Sequence, residues 1–222
     1  MSSPTSRTPV PCSSGWRGVF SLVQFATRHD VPRQAARFAA NKWPVARLAV
    51  RRGGQCICPI RDCIEPHLTL RPPLLITRAR DAEPLWRDYG WGIALVTHHY
   101  NVLRLPAAYG AHVHQVLGTA CPTAICRATR EWRFFVAPGE LQYAEAAAVG
   151  GDLTAGPSAW VPAPGTEGED VDVYRWLVPP HLTGWRPSKD TNAIRAVLRT
   201  TDWNAADAPS RGWPEILARV LR

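Results

Sequence analysis

Apolar residues recur every three to four positions in several parts of the chain, which is the spacing of one buried face of an α-helix. This periodicity predicts helices over residues 19–29, 33–41, 83–88 and 107–117 and over the segments LQYAEAA, DTNAIRAVLR and GWPEILARVLR. Asp190 or Thr191 is expected to cap DTNAIRAVLR, because short polar side chains accept hydrogen bonds from the first backbone N–H groups of a helix.

Between these helices lie short runs rich in β-branched and aromatic residues, which are typical of strands. They are WPVARLAV, GIALVT, YNVLRL, TAICRA, WRFFVA, AWVPAP and VDVYRWLVPP. TAICRA and WRFFVA are expected to pair across a short polar connection. AWVPAP and VDVYRWLVPP are expected to form a hairpin around GTEGED.

The mixture of elements predicts an α+β fold, with one central, mostly antiparallel sheet flanked by helices. We expect a disordered N-terminus over residues 1–15, a single domain over residues 16–190, and a C-terminal helical segment over residues 191–222. At 222 residues and 45% hydrophobic content the chain can form a sizeable core. It has no run of 18 apolar residues and no signal-peptide pattern, so we expect no membrane association and a cytoplasmic location.

The net charge of +8 lies almost entirely in the N-terminal quarter, where residues 1–52 carry nine Arg or Lys residues and a single acid, Asp30. A basic face of this kind favours a phosphate-bearing partner such as nucleic acid. Arg51 and Arg52 close this segment and are candidate phosphate contacts. The alternative is a composition bias, since arginine replaces lysine almost everywhere in the chain.

Half of the cysteines fall in the stretch CICPIRDCIEPH, which also ends in a histidine. Cys56, Cys58, Cys63 and His67 offer three thiolates and one imidazole, the ligand set of a closed, structural zinc site. Reduced thiols in a proline-rich loop and a C-x-C redox pair remain alternatives. Cys121 and Cys126 have no nearby partner in the sequence and are expected to be core thiols on or beside a strand. We find no Walker-type glycine loop, no nucleophile elbow and no helix-turn-helix signature.

The order of several segments resembles the N-terminal bifunctional DNA primase/polymerase (prim-pol) family. The resemblance rests on AARFAANKWPVARLAV, then CICPIRDCIEPH, then Trp86, then YGWGIALVT, and later GDLTAGPSAWVPAPGT followed by VYRWLVPP. It covers roughly residues 33–180. It implies an archaeo-eukaryotic primase-type sheet that carries out nucleotidyl transfer with two magnesium or manganese ions held by aspartates.

The chain departs from the family where that chemistry would be performed. The paired aspartates of the family's LDVD strand fall on Arg104 and Pro106 in NVLRLPAAYG, and neither residue can ligate a metal ion. The family's triphosphate-contacting histidine falls near Trp132. Only Asp152 stands where a third acidic residue is expected.

These departures predict a prim-pol-like domain that has lost catalysis and acts in nucleic-acid or nucleotide binding. Arg104, Arg130 and Arg133 are then candidates to bind phosphate directly. Two alternatives remain open. The first is an active nucleotidyltransferase whose acids come from elsewhere, for example Asp170 or Asp172. The second is a protein-interaction scaffold that binds no nucleic acid.

Overall fold

The segments that fold into regular elements are those with clear apolar periodicity. The computed structural model describes residues 30–58, 63, 66–69, 74–87, 90–126, 128–139, 141–169 and 171–200. The predicted N-terminal disorder (1–15), the helix over 19–29 and the helix in GWPEILARVLR lie outside the described residues.

The described residues form five α-helices and eleven strands. The helices are α1 (Val31–Ala40), α2 (Ala79–Leu85), α3 (Ala107–Leu117), α4 (Tyr143–Ala147) and α5 (Thr191–Thr200). The strands are β1 (Val45–Ala49), β2 (Arg51–Arg52), β3 (Gln55–Cys56), β4 (His67–Leu68), β5 (Gly92–Val96), β6 (Asn101–Leu105), β7 (Thr123–Cys126), β8 (Trp132–Val136), β9 (Asp152–Thr154), β10 (Trp160–Pro162) and β11 (Tyr174–Val178). Within this part of the chain, no helix has both the length and the apolar character needed to cross a bilayer.

The strands form two antiparallel sheets and a small hairpin. The first sheet has the order β10-β5-β1-β4, and the second has the order β11-β7-β8-β6-β9. The hairpin pairs β2 with β3 and turns at Gly53 and Gly54, which both have positive φ angles. The α+β class and the antiparallel pairing agree with the prediction, but the single central sheet does not, because the strands divide between two sheets.

One core lies between facing sides of the two sheets and extends to α1 and α2. Its centre is aromatic: the Trp43 ring lies 4.5 Å from Tyr100 and 5.2 Å from Phe135, measured between ring centroids. Trp43 also donates a hydrogen bond of 2.9 Å from Nε1 to the Trp185 carbonyl oxygen. This core fixes the two sheets against each other.

A second core lies on the other side of the second sheet, where α3, α4 and α5 cover it. Trp132 is fully buried there, and a Cβ atom on Gly110 of α3 would overlap its ring. Ile194 and Leu198 of α5 are buried in the same core. Glu145 of α4 accepts a 2.7 Å hydrogen bond from Arg195 Nε, which lowers the pKa of Glu145.

Several local predictions are confirmed. Helix α3 has the predicted bounds, β7 pairs with β8, and Asp190 caps α5 by accepting a 3.1 Å hydrogen bond from the Ala193 N–H. Cys121 and Cys126 are buried, and burial raises the pKa of the Cys121 thiol to about 12.

Two local predictions are wrong. AWVPAP and VDVYRWLVPP do not form a hairpin with each other, since β10 pairs with β5 in the first sheet and β11 pairs with β7 in the second. The helix expected over 83–88 begins earlier, at Ala79, because Ala82 is buried and the helix packs against α1.

Candidate metal centre and charged cleft

The four predicted metal ligands meet at one end of the first sheet. Cys56 belongs to β3 of the hairpin, and His67 belongs to β4, the edge strand of the sheet. Strand β1 places them near each other, since Ala49 pairs with His67 while the chain continues into the hairpin, where Arg51 pairs with Cys56. A bound ion would therefore join the hairpin to the sheet edge.

The ligand atoms of Cys56, Cys58, Cys63 and His67 all lie within 4.8 Å of one another. Cys63 Sγ lies 3.2 Å from His67 Nδ1. In a tetrahedral zinc site with Zn–S bonds of about 2.3 Å, neighbouring ligand atoms are separated by roughly 3.8 Å. The cluster therefore fits a metal ion of this size with little adjustment.

The cluster needs positive charge to hold its thiols as thiolates. Burial, together with hydrogen bonding to the Cys58 and Cys63 thiols, raises the pKa of Cys56 to about 11. A metal ion reverses this preference, because the thiolate is the form that coordinates the metal. All four side chains are half-buried, as expected of a structural site enclosed by protein.

A cleft of about 320 Å³ is lined by residues of β6, β8 and β9 of the second sheet and of β10 of the first sheet. Strand alternation determines which side chains reach it. On β6, Arg104 faces the cleft, while its neighbours Leu103 and Leu105 point into the core under α3. On β8, Arg133 faces the cleft and Trp132 points the other way.

The strand register brings three charged residues side by side. Arg104 lies directly opposite Arg133 on one side and opposite Asp152 on the other. Gly151 allows this approach, since a Cβ atom there would lie 2.5 Å from the Arg104 carbonyl oxygen. Two arginines in directly opposed positions repel each other and need anions nearby.

Arg104 is held between carboxylates. Its Nη1 donates a 2.8 Å hydrogen bond to Glu131 Oε1, and its Nη2 lies 4.0 Å from Asp152 Oδ2. The other Glu131 oxygen, Oε2, accepts hydrogen bonds from the Tyr174 hydroxyl (3.0 Å) and from Thr129 (3.2 Å). The Arg104 charge is therefore largely neutralised by the protein.

Arg133 is in a different position. Only 9% of the residue is exposed, its guanidinium lies 3.6 Å from the centroid of the Tyr174 ring, and its Nη1 donates to the Pro162 carbonyl oxygen at 3.1 Å. Within the described part of the chain, no carboxylate lies within ion-pair distance of this guanidinium. Burial lowers the pKa of Arg133, and nearby Arg104 lowers it further, while Tyr174 and the more distant Asp172 raise it.

The other predicted site residues lie away from the cleft. Trp132 is buried under α3 against His114, with ring centroids 5.3 Å apart. Pro106 precedes α3 at its N-cap position. Arg130 is exposed in the turn between β7 and β8.

Arg51 and Arg52 lie on strand β2 of the hairpin, beside the metal cluster rather than in the cleft. Arg51 Nη2 donates a 2.6 Å hydrogen bond to the Gly54 carbonyl oxygen, which helps to close the hairpin turn. The Gly54 N–H in turn donates to Glu169 Oε2 at 2.9 Å. These contacts give at least part of this basic pair a local structural role.

Sequence reasoning did not assign Glu131, Tyr174 or Trp160 to the site, yet all three line the cleft. Strand alternation could have predicted the position of Glu131, because this residue is two positions before Arg133 and therefore lies on the same face of the chain. Trp160 and Tyr174 come from two different sheets, and no local pattern predicts that they meet.

Comparisons with known proteins identify no relative. No protein-family model, no curated protein and no solved structure matches this chain.

Proposed function

We propose that this chain is a prim-pol-like domain that has lost nucleotidyl transfer and binds nucleic acid or nucleotides in the charged cleft. The observation that carries the proposal is the register of Arg133, Arg104 and Asp152 on three adjacent strands facing one cavity. According to the family resemblance, Arg104 stands where the family has a metal-binding aspartate, and Asp152 stands at the family's third acidic position. An arginine there cannot ligate a metal ion but can bind phosphate.

In this arrangement the Arg104 guanidinium supplies part of the positive charge that a divalent metal ion would supply. Its guanidinium contacts Glu131 and lies near Asp152, so it balances carboxylates that a divalent ion would otherwise bridge. Among the described residues, the only group of three or more His, Cys, Asp or Glu side chains with metal-binding spacing is the cysteine cluster. We infer that ligands bind in this cleft without magnesium or manganese.

An active nucleotidyltransferase is the second candidate, because Glu131, Asp152 and Asp172 line the same cleft. Two-metal transfer requires carboxylates to hold both ions. These three acids supply oxygen ligands of the correct type. Ligand-induced movement of Arg104 would be needed to release Glu131 and Asp152 for metal binding.

Two assays separate these functions. In primer extension with magnesium or manganese, the degenerate domain incorporates no nucleotide. Incorporation that disappears in Asp152→Asn would establish the active enzyme. In binding assays with single-stranded and duplex DNA, affinity is expected at low salt and should fall steeply as salt is raised.

The binding assay has a matched control and a clear negative outcome. Arg104→Gln should weaken binding, while Arg80→Gln, which removes an exposed arginine on α2, should leave it unchanged. If neither DNA nor nucleotides bind at low salt, a scaffolding role through protein partners becomes the better explanation.

We also propose that the cysteine cluster binds a structural zinc ion. The support is the Cys₃His ligand set within 4.8 Å and its position between the hairpin and the sheet edge. Purified protein should contain one equivalent of zinc, measured by metal analysis, and Cys58→Ser should lose it together with thermal stability. Cys126→Ser, which alters a buried cysteine outside the cluster, should keep the zinc.

A further inference from the structure

We propose that the charged cleft selects a nucleoside monophosphate, whose single phosphate binds to Arg133 without a divalent cation. This inference rests on the proposed function and makes its ligand class specific. It starts from the difference between the two arginines. Arg104 already contacts Glu131, whereas Arg133 has no carboxylate at ion-pair distance within the described residues.

A buried guanidinium without a carboxylate in direct contact is costly, and a ligand anion would reduce that cost. Arg133 is also preorganised: the Tyr174 ring supports one face of its guanidinium, and the Pro162 carbonyl oxygen accepts from one of its nitrogens. A guanidinium has five N–H donors in a fixed planar fork that matches phosphate oxygens. Arg133 lines the cavity, and a phosphate there would bind to Nε or Nη2, since Nη1 already donates to the Pro162 carbonyl oxygen.

The size of the cleft limits the ligand. Its volume is about 320 Å³, at the lower end of the range of roughly 300–1,000 Å³ for small-molecule sites. Its lining includes the apolar side chains of Trp160, Val161 and Val171, and an aromatic ring such as that of Trp160 suits the flat face of a base. Arg133 and Trp160 are therefore the candidate anion site and the candidate stacking residue.

The charge of the cleft limits the phosphate count. Arg104 and Arg133 are its two cations, against three carboxylates from Glu131, Asp152 and Asp172. Because the lining carboxylates outnumber the arginines, each added phosphate increases the repulsion in the absence of a divalent ion, which favours one phosphate on Arg133 over three. These same carboxylates can accept hydrogen bonds from sugar hydroxyl or base amino groups.

The test is calorimetric titration of the 222-residue protein as purified, without added magnesium or manganese. The probes are the nucleoside 5′-monophosphates, the matching nucleosides and triphosphates, inorganic phosphate, and a short single-stranded oligonucleotide with and without a 5′-phosphate. We expect at least one monophosphate to bind about tenfold or more tightly than its nucleoside. Its triphosphate should bind no more tightly than the monophosphate.

Variants assign this selectivity to Arg133. Arg133→Gln should lower monophosphate affinity by about tenfold to a hundredfold and leave nucleoside affinity nearly unchanged. Arg133→Lys keeps the charge but not the planar fork, so its loss of monophosphate affinity should be intermediate. If Arg133→Gln fails to fold, Arg133→Lys provides the test in its place. Arg175→Gln is the control, because Arg175 lies on β11 and pairs with Glu167.

Equal affinities for nucleoside and monophosphate, or an unchanged affinity in folded Arg133→Gln, would overturn the inference. Oligonucleotide binding that depends on the 5′-phosphate would assign the same phosphate site to a strand end rather than a free nucleotide, and would overturn the mononucleotide assignment. Oligonucleotide binding without any monophosphate binding would also overturn it, while leaving the proposed function intact. If no probe binds, both proposals fail.

Discussion

At the level of single residues, Glu131 determines how far the charge of Arg104 is compensated within the cleft. It is half-buried, pairs with Arg104, and accepts a hydrogen bond from the hydroxyl of Tyr174, the ring that supports Arg133. One carboxylate therefore positions both arginines, directly for Arg104 and through Tyr174 for Arg133. Burial raises the pKa of the Tyr174 hydroxyl, which keeps it protonated as the donor in this contact.

Replacing the Glu131 carboxylate should lower the stability of the fold and raise its affinity for anions. In Glu131→Gln, Arg104 loses its closest counter-ion. The repulsion between the opposed guanidinium groups of Arg104 and Arg133 is then no longer offset by the Glu131 carboxylate. We expect the free energy of unfolding to fall by about 1–3 kcal/mol, measured by urea denaturation, and phosphate or DNA affinity to rise.

Glu167→Gln provides the comparison, because Glu167 is an exposed acid that pairs with Arg175 outside the cleft. Loss of a surface ion pair should change stability by less than about 1 kcal/mol. An equal loss of stability in both variants would show that Glu131 has no special role in the cleft.

The sequence predicted part of this network but not its centre. Arg104, Arg133 and Asp152 were expected at the site because of where they fall in the family resemblance. Glu131 and Tyr174 lie far apart in sequence, and their contact depends on β8 and β11 both pairing with β7. Trp132 was expected at the site because the family's histidine falls near it in the resemblance, but its neighbour Arg133 has the side chain that faces the cleft.

At the level of secondary-structure elements, the contact between α3 and β8 depends on a glycine. Gly110 lies in the middle of α3 directly against the Trp132 ring. Glycine normally destabilises a helix relative to alanine by about 1 kcal/mol. Its presence here is explained by the close packing of the helix on the sheet.

Gly110→Ala should therefore destabilise the protein, although it improves the helix propensity. The new methyl group would force α3 or Trp132 to shift, with an expected cost of about 1–3 kcal/mol in the free energy of unfolding. Thermal denaturation followed by circular dichroism measures this change.

Ala108→Gly on the same helix is the matched control, and its cost should be confined to helix propensity, about 1 kcal/mol or less. A more stable Gly110→Ala protein would mean that α3 packs less closely on β8 than described.

Element positions were predicted better than element partners. The bounds of α3 followed from apolar periodicity, and the β7–β8 pairing followed from closeness in sequence. The partner of β10 could not be found in this way, because its apolar residues suit either sheet. The short strands β2, β3 and β4 also carry too few residues for a periodic signal.

At the level of the whole molecule, the folded state holds a histidine in a site that disfavours its charged form. His114 lies on Trp132, its Nδ1 is buried, and no hydrogen-bond partner for that atom lies within the described residues. Burial lowers the pKa of His114. The unfolded chain therefore takes up a proton on this residue at a higher pH than the folded chain does.

Stability should depend on pH accordingly. The contribution of His114 is fully present above its unfolded pKa of about 6.5 and is lost as pH falls toward the lowered folded pKa. We expect the free energy of unfolding to decrease between about pH 7 and about pH 5, measured by urea denaturation at each pH.

His114→Phe keeps an aromatic ring against Trp132 and should flatten this pH dependence. His181→Gln, which changes an exposed histidine on another segment, should preserve it. Identical pH profiles for wild type and His114→Phe would contradict the assignment.

The placement of β10 has a consequence for how the protein is made in the cell. Strand β5 pairs with β1 on one side and with β10 on the other, but β10 is synthesised only after β6, β7, β8 and β9. Until then, a nascent chain displays the apolar segment GIALV with one open hydrogen-bonding edge, which is a site for aggregation. A fragment that ends before Trp160 should therefore need a chaperone or precipitate, and the two sheets should mature together rather than one after the other.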